Sequence, residues 1–197
     1  MLKTKGFTVI ELVVAIAIIG ILLSLAVPSF TEMLMNAKIR NLAGSMANGL
    51  NMAKVEAVRR NMHVRFQLTT TADDTCALSP NGASWVVSLA NPTGLCGTAP
   101  SDTENPQIIQ ARGNENVNRL VVTATEETVI FNSLGRWVPN SVTNNVIDVR
   151  EASGVCATVE NKRGFRCLQV VVSPSGMVRV CDPALANTEP GSCAFGA

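Results

Sequence analysis

Glu11 is the residue whose type and place could do chemistry: a lone carboxylate near the start of an apolar run from Phe7 to Val27. A carboxylate within bilayer hydrocarbon costs on the order of 2.5–3.5 kcal/mol on insertion scales, so it needs a counter-charge. If the chain is cut after Gly6, the new N-terminus is the α-amine of Phe7, four positions before Glu11. Positions i and i+4 share a helix face. Glu11 then neutralises that ammonium, in its own chain or in a neighbouring one. The chemistry on offer is ion pairing at a helix terminus, not bond making.

The other reactive residues point away from catalysis. Six cysteines, Cys76, Cys96, Cys156, Cys167, Cys181 and Cys193, all follow the apolar run. An even count in an exported domain reads as disulfides, and six cysteines allow 15 pairings. Their spacing favours the local loops Cys76–Cys96, Cys156–Cys167 and Cys181–Cys193. Zinc is the competing reading, but there is no Cys-x-x-Cys and His63 is far from the cysteines. No metal and no cofactor are expected. His63 alternates with Arg65, which puts both on one polar strand face. No glycine-rich phosphate loop follows a strand, and the carboxylates are scattered at loop positions. The reading is not an enzyme.

The apolar run from Phe7 to Val27 has roughly the ~20 residues that span a bilayer as a helix. Lys3 and Lys5 lie ahead of it and stay cytoplasmic by the positive-inside rule, sending the rest of the chain outward. An ordinary signal peptide cut at Ser24-Leu25-Ala26 is the plain alternative, and a simple signal anchor is another; the first accounts for neither Gly6 nor Glu11. Of the 16 basic and 15 acidic residues, removing Lys3 and Lys5 with the leader and Glu11 with the apolar run leaves 14 of each. A neutral exposed part excludes a global field for nucleic acid and leaves only a local basic patch. Tyr is absent and aromatics make up 4%, too few for a base-stacking platform.

The elements that must position these residues follow in order. Pro28 can kink a helix without ending it. Beyond it Met35, Ile39, Leu42, Met46, Leu50, Ala53 and Ala57 recur at three- and four-residue steps, one apolar stripe for a core. The helix should reach Arg60 or Asn61, about 80 Å from Phe7, weakened at Gly44 and Gly49 by about 1 kcal/mol each. Arg59 and Arg60 suit the last turn, where cations complement the helix dipole, and Glu56 and Arg60 are spaced as an i,i+4 pair. The period then changes to two: Val64, Phe66 and Leu68 predict a half-buried strand. Trp85 to Leu89 predicts a second. Ala90 to Asn116 reads as a long loop with a short strand near Ile108. Leu120 to Ala124 and Thr128 to Asn132 look like strands around an acidic turn at Glu126-Glu127, and Val146 to Val149 is a short strand. Phe165 to Val172 and Met177 to Cys181 flank the hairpin signal Ser173-Pro174-Ser175-Gly176. Asp182 to Ala197 is a Pro/Gly/Asn tail. A long helix followed only by strands argues α+β, with an antiparallel sheet on the helix's C-terminal half.

Gly6-Phe7-Thr8-Val9-Ile10-Glu11 behind a short basic leader resembles the N-terminus of type IV pilins and pseudopilins. The resemblance implies that a prepilin peptidase cuts between Gly6 and Phe7 and methylates Phe7, and that Glu11 guides the subunit into a filament. It also implies residues 1–6 as leader, 7–27 as the membrane and filament-core helix, 28–61 as the amphipathic half, and 62–197 as a β-rich periplasmic domain. The protein would then be single-pass in the inner membrane, passing into a pilus or pseudopilus beside major and minor pilins.

Ala53-Lys54-Val55-Glu56-Ala57-Val58-Arg59-Arg60 before Val64 resembles the helix end of the GspH/FimT group. Phe131-x-x-x-Gly135-Arg136 and Val171-Val172-Ser173-Pro174-Ser175-Gly176, followed by Val180-Cys181, match its later strands. The implied function is a minor pilin that primes or caps a type IV pilus, favoured by the cysteine-flanked tail, or else the minor pseudopilin of a type II secretion system. Some FimT-type relatives bind DNA through Gly-Arg-x-Arg. The matching positions are Gly176-Met177-Val178-Arg179, where Met177 replaces the first arginine. Arg179 with Lys162, Arg163 and Arg166 would form the remaining DNA patch, non-specific and salt-sensitive.

Overall fold

The computed structural model describes residues 8–114, 119–138, 143–152, 156–158, 160 and 164–194, and for 25–29 the backbone alone. One helix, α1 (Val9–Arg60), runs 52 residues and passes Pro28 without interruption. Thr8 caps its start, and Asn61 ends it in the left-handed region at φ 52°, its N–H bonded back to Ala57 and Val58, a C-terminal geometry that Asn tolerates. All seven residues of the predicted stripe, Met35 to Ala57, are buried.

Eight strands follow: β1 (Val64–Thr69), β2 (Ser84–Ser88), β3 (Ile108–Arg112), β4 (Leu120–Ala124), β5 (Thr128–Phe131), β6 (Asn145–Glu151), β7 (Leu168–Val172) and β8 (Val178–Cys181). They form two antiparallel sheets, not one. The first is ordered β3-β2-β1-β5 and the second β4-β6-β7-β8. α1 packs on both. A single core cluster joins its stripe to Phe66, Trp85 and Phe131 of the first sheet and to Ile147, Val170 and Val172 of the second. Burying a side chain of this kind stabilises by roughly 1.5–3 kcal/mol.

The acidic turn at Glu126-Glu127 is where the chain changes sheets. β4 and β5 do not pair with each other: β4 pairs β6, and β5 pairs β1. The pivot is held by the buried Asn145, whose amide accepts from the Glu126 N–H at 3.0 Å and donates to the Glu126 carbonyl at 3.1 Å. A side-chain amide here does the work of a missing ladder pair. β1 also departs from expectation, being covered on both faces: Gln67 and Thr69 are buried along with Val64, Phe66 and Leu68. The second face lies under the loops that carry Cys76 and Cys96, which pack with Val86 and Ile108 as a small separate cluster.

Gly49 explains itself in this setting. A Cβ there would lie 2.8 Å from the Phe66 ring and 3.0 Å from Trp85. Helix and sheet approach too closely for any side chain, and the two rings sit with centroids 5.7 Å apart. Gly44 has nothing within 4 Å, and we have no packing reason for it.

Candidate functional site

The start of α1 is held by two residues, Thr8 and Glu11. Thr8 accepts from the Glu11 N–H at 3.4 Å, while the Glu11 carboxylate accepts from the Thr8 N–H and hydroxyl, both at 2.8 Å. This is a capping box, Thr-x-x-Glu, which satisfies two otherwise unpaired helix donors reciprocally. Both bonds fall on one carboxylate oxygen, Oε2. Among the described residues nothing donates to Oε1. Gly6 and Phe7 lie outside the described residues.

From this cap the helix projects away from the domain. Its large apolar side chains from Val9 to Leu23 are exposed on every face, as are Phe30, Met33 and Leu34 further on. A helix that is apolar all round is stable only inside lipid or other protein. Among the described residues no helix is long and apolar enough to cross a membrane; the side chains of 25–29, within the expected span, are outside them.

The other end of α1 is a charged corner. Glu56 accepts from Arg59 at 2.7 Å and from Arg60 at 2.8 Å, and Arg60 reaches Asp102 at 2.7 Å. The hydrogen bond from Arg59, with help from Arg60, holds the Glu56 carboxyl below its ordinary range. Glu56 and then Asp102 raise Arg60 in turn. The pair Glu56–Arg60 thus exists as spaced, but Arg60 is also tied to the β2–β3 loop.

Above this corner two turns lock together. Gly135 and Gly176 both have positive φ, 70° and 81°. A Cβ on Gly176 would overlap the Gly135 carbonyl oxygen, and one on Gly135 would press on Lys54 and Val58 of α1. The two glycines of the family-like motifs therefore meet each other, one from each sheet, against the helix.

Three disulfides close the loops: Cys76–Cys96, Cys156–Cys167 and Cys181–Cys193, with Cα separations of 6.1, 5.5 and 4.9 Å. The first ties the β1–β2 loop to the β2–β3 loop. The last returns the tail to β8. Among the described residues no group of His, Cys, Asp and Glu could hold a metal ion.

The basic candidates are dispersed. Arg166 pairs with the buried Asp182 at 2.6 Å, and its backbone N–H donates to Asn36 of α1. Arg179 donates to the Cys193 carbonyl at 2.7 Å. Both guanidiniums hold the C-terminal tail in place. Lys162 and Arg163 lie outside the described residues. His63 is exposed beside the helix end. The feature missed in the sequence is the capping box, although Thr8-x-x-Glu11 is its written signal.

Comparison with known proteins fits this geometry. The model of the family described as type II transport protein GspH matches residues 42–176, more than half of the chain, and the prokaryotic N-terminal methylation motif matches residues 1–27. A type IV major alpha-pilin of Moraxella bovis is 29% identical over 80 residues, 41% of this chain and 50% of that protein. The chain thus spans about half the length of that relative. The type IV narrow pilus major component PilA5 of Thermus thermophilus is 31% identical over 113 residues, 52% of this chain and 85% of that protein. The crystal structure of the type IV minor pilin FimU of Pseudomonas aeruginosa is similar at TM-score 0.48 and 12% identity, over 80% of this chain and 96% of that one. With a methylation motif on its helix and the GspH pattern across helix and sheets, the protein belongs to the GspH family of pilins and pseudopilins.

Proposed function

We propose that the chain is a minor pilin of a type IV pilus, which primes or caps filament assembly. The observation that carries this reading is the helix projecting from Thr8, its large apolar side chains exposed on every face from Val9 to Leu23 and exposed again at Phe30, Met33 and Leu34. On this reading residues 7–27 anchor the chain as a single pass in the inner membrane, with the domain in the periplasm. A prepilin peptidase cuts Gly6 from Phe7, and Phe7 is methylated. Leaving lipid for other apolar helices gains only packing and polar pairing. Glu11 is the polar element available, and its Oε1 is open to a neighbour's Phe7 ammonium while Oε2 caps the helix. Type IV pilus components among the relatives support the pilus.

Two variants test this. Glu11→Ala should insert, be processed and be lost from sheared pili. Thr8→Ala should lose about 1 kcal/mol of capping yet still enter the filament. Normal recovery of Glu11→Ala in pili would overturn the reading, and mass spectrometry of the mature N-terminus should find methylated Phe7. The second reading, a minor pseudopilin of a type II secretion system, is favoured by the family's own description as a type II transport protein. Deleting the gene separates them: loss of pili supports the first, loss of exoprotein secretion with pili intact supports the second.

A further inference from the structure

An open groove runs between α1 and the edge strand β3, formed by two adjoining hollows of ≈ 210 and ≈ 600 Å³. Lys38, Arg40 and Arg112 line it, with the polar side chains of Asn41, Ser45 and Asn114, and no carboxylate is among the described residues of its wall. The three cations are exposed, and none makes an ion pair among the described residues. On a chain whose exposed charges balance overall, this is a local site for an anion.

Its position says which anion. β1 leaves the far end of α1 and runs back along it, so β2 begins and β3 ends at the near end of the domain, where Trp85 opposes Arg112 and its indole donates to Ser45 at 3.1 Å. The groove therefore opens towards the projecting helix. Phe30, Met33 and Leu34 are 60%, 70% and 48% exposed, but the exposed carboxylate of Glu32 stands among them, so the hydrocarbon ends by Thr31. From Val9 to Thr31 the helix is about 34 Å long, against ~30 Å of hydrocarbon. Burying all of it takes a tilt of about 30°, within the range that membrane helices adopt. Lys38 follows ~10 Å further along the axis, just past the polar layer of about 5–7 Å on that side, and its long stem can reach back into that layer.

We propose that this groove binds the phosphate of an anionic phospholipid headgroup while the subunit waits in the membrane. The inference rests on the membrane reading of α1 and adds a lipid class and a site to it. Lys38 and Arg112 line one hollow and Arg40 and Arg112 the other, so the phosphate is held at Arg112, between the helix and β3. Basic side chains beside a membrane favour anionic lipid in this way.

The test uses the full chain in nanodiscs of mixed phosphatidylcholine and phosphatidylglycerol, with retained lipids counted by native mass spectrometry. The wild type should keep phosphatidylglycerol in preference. Lys38→Gln, Arg40→Gln and Arg112→Gln, singly and together, should lower that preference roughly five-fold per charge removed, with the fold checked by circular dichroism. Equal retention of both lipids, or an unchanged preference in the triple variant, would overturn the proposal. So would a preference for a DNA duplex over phosphatidylglycerol vesicles at equal phosphate, lost in the same variant, which would assign the groove to nucleic acid. Co-flotation with neutral vesicles separates the two readings. A chain that floats without lipid preference keeps its anchor and loses the headgroup site, whereas one that does not float loses both.

Discussion

The ammonium of Lys54, in the last third of α1, donates to the carbonyl oxygen of Gly176 at 2.9 Å, across 122 residues of sequence. It joins the helix to the β7–β8 hairpin at the point where that hairpin meets Gly135 of the first sheet. Three elements converge on one half-buried bond. The stem of Lys54 lies over Gly135, so the side chain packs on one turn and hydrogen-bonds the other.

This contact makes Gly176 the least replaceable residue of the hairpin. Gly176→Ala places a methyl group on the Gly135 carbonyl and an L side chain at φ 81°. The expected loss is roughly 2–4 kcal/mol, read as a lower urea midpoint.

Two helix glycines should respond with opposite sign. Gly44→Ala meets nothing within 4 Å and should stabilise by up to about 1 kcal/mol. Gly49→Ala drives a methyl group into Phe66 and Trp85, and overpacking of about 1–3 kcal/mol outweighs the helix gain. Thermal melts of the two variants against the wild type decide it.

Much of this was legible in the sequence and some could not have been. The stripe from Met35 to Ala57 was readable because a period near 3.6 names both the element and its buried face. The β-strands were readable by alternation and turn chemistry, but alternation gives faces and not partners. Nothing local distinguishes a hairpin at Glu126-Glu127 from a change of sheet, since the deciding residue, Asn145, lies 19 positions on. Local spacing favoured Cys76 with Cys96, and the two sit on loops brought together by β2. Gly135 and Gly176 each announce a turn, but their mutual contact is a property of two sheets meeting on one helix. Arg166 and Arg179 looked like a surface patch because charge alone carries no sign of the buried Asp182 or of a tail carbonyl.

Stability should depend on pH through the corner at the end of α1. The folded Glu56 carboxyl is held below its ordinary value of 4.5, chiefly by Arg59. Its contribution is therefore present above that value and is lost as pH falls through the lower folded one. Arg59 is largely exposed, so the effect is modest, at most about 1 kcal/mol. The difference in unfolding free energy between wild type and Glu56→Gln should be constant from pH 7 to 5 and shrink below pH 4.5. A difference that grows on acidification would contradict it.

The tail should come free without its clip. Replacing Cys181 and Cys193 together by Ser opens a 12-residue separation, with an expected loss of about 2–4 kcal/mol. Limited proteolysis should then cut within 182–194, while the Arg166–Asp182 pair still holds the first residue of that segment.

α1 is one unbroken rod from Thr8 to Arg60, and that has a mechanical consequence. Tension applied at the anchored end has no hinge at which to dissipate, and it arrives undiminished beneath both sheets. The load falls lengthwise on the interlock of seven stripe side chains, the geometry in which packed surfaces resist by sliding all at once. Strands need not peel one after another, and the disulfides, none of which joins α1 to a sheet, carry none of the pull.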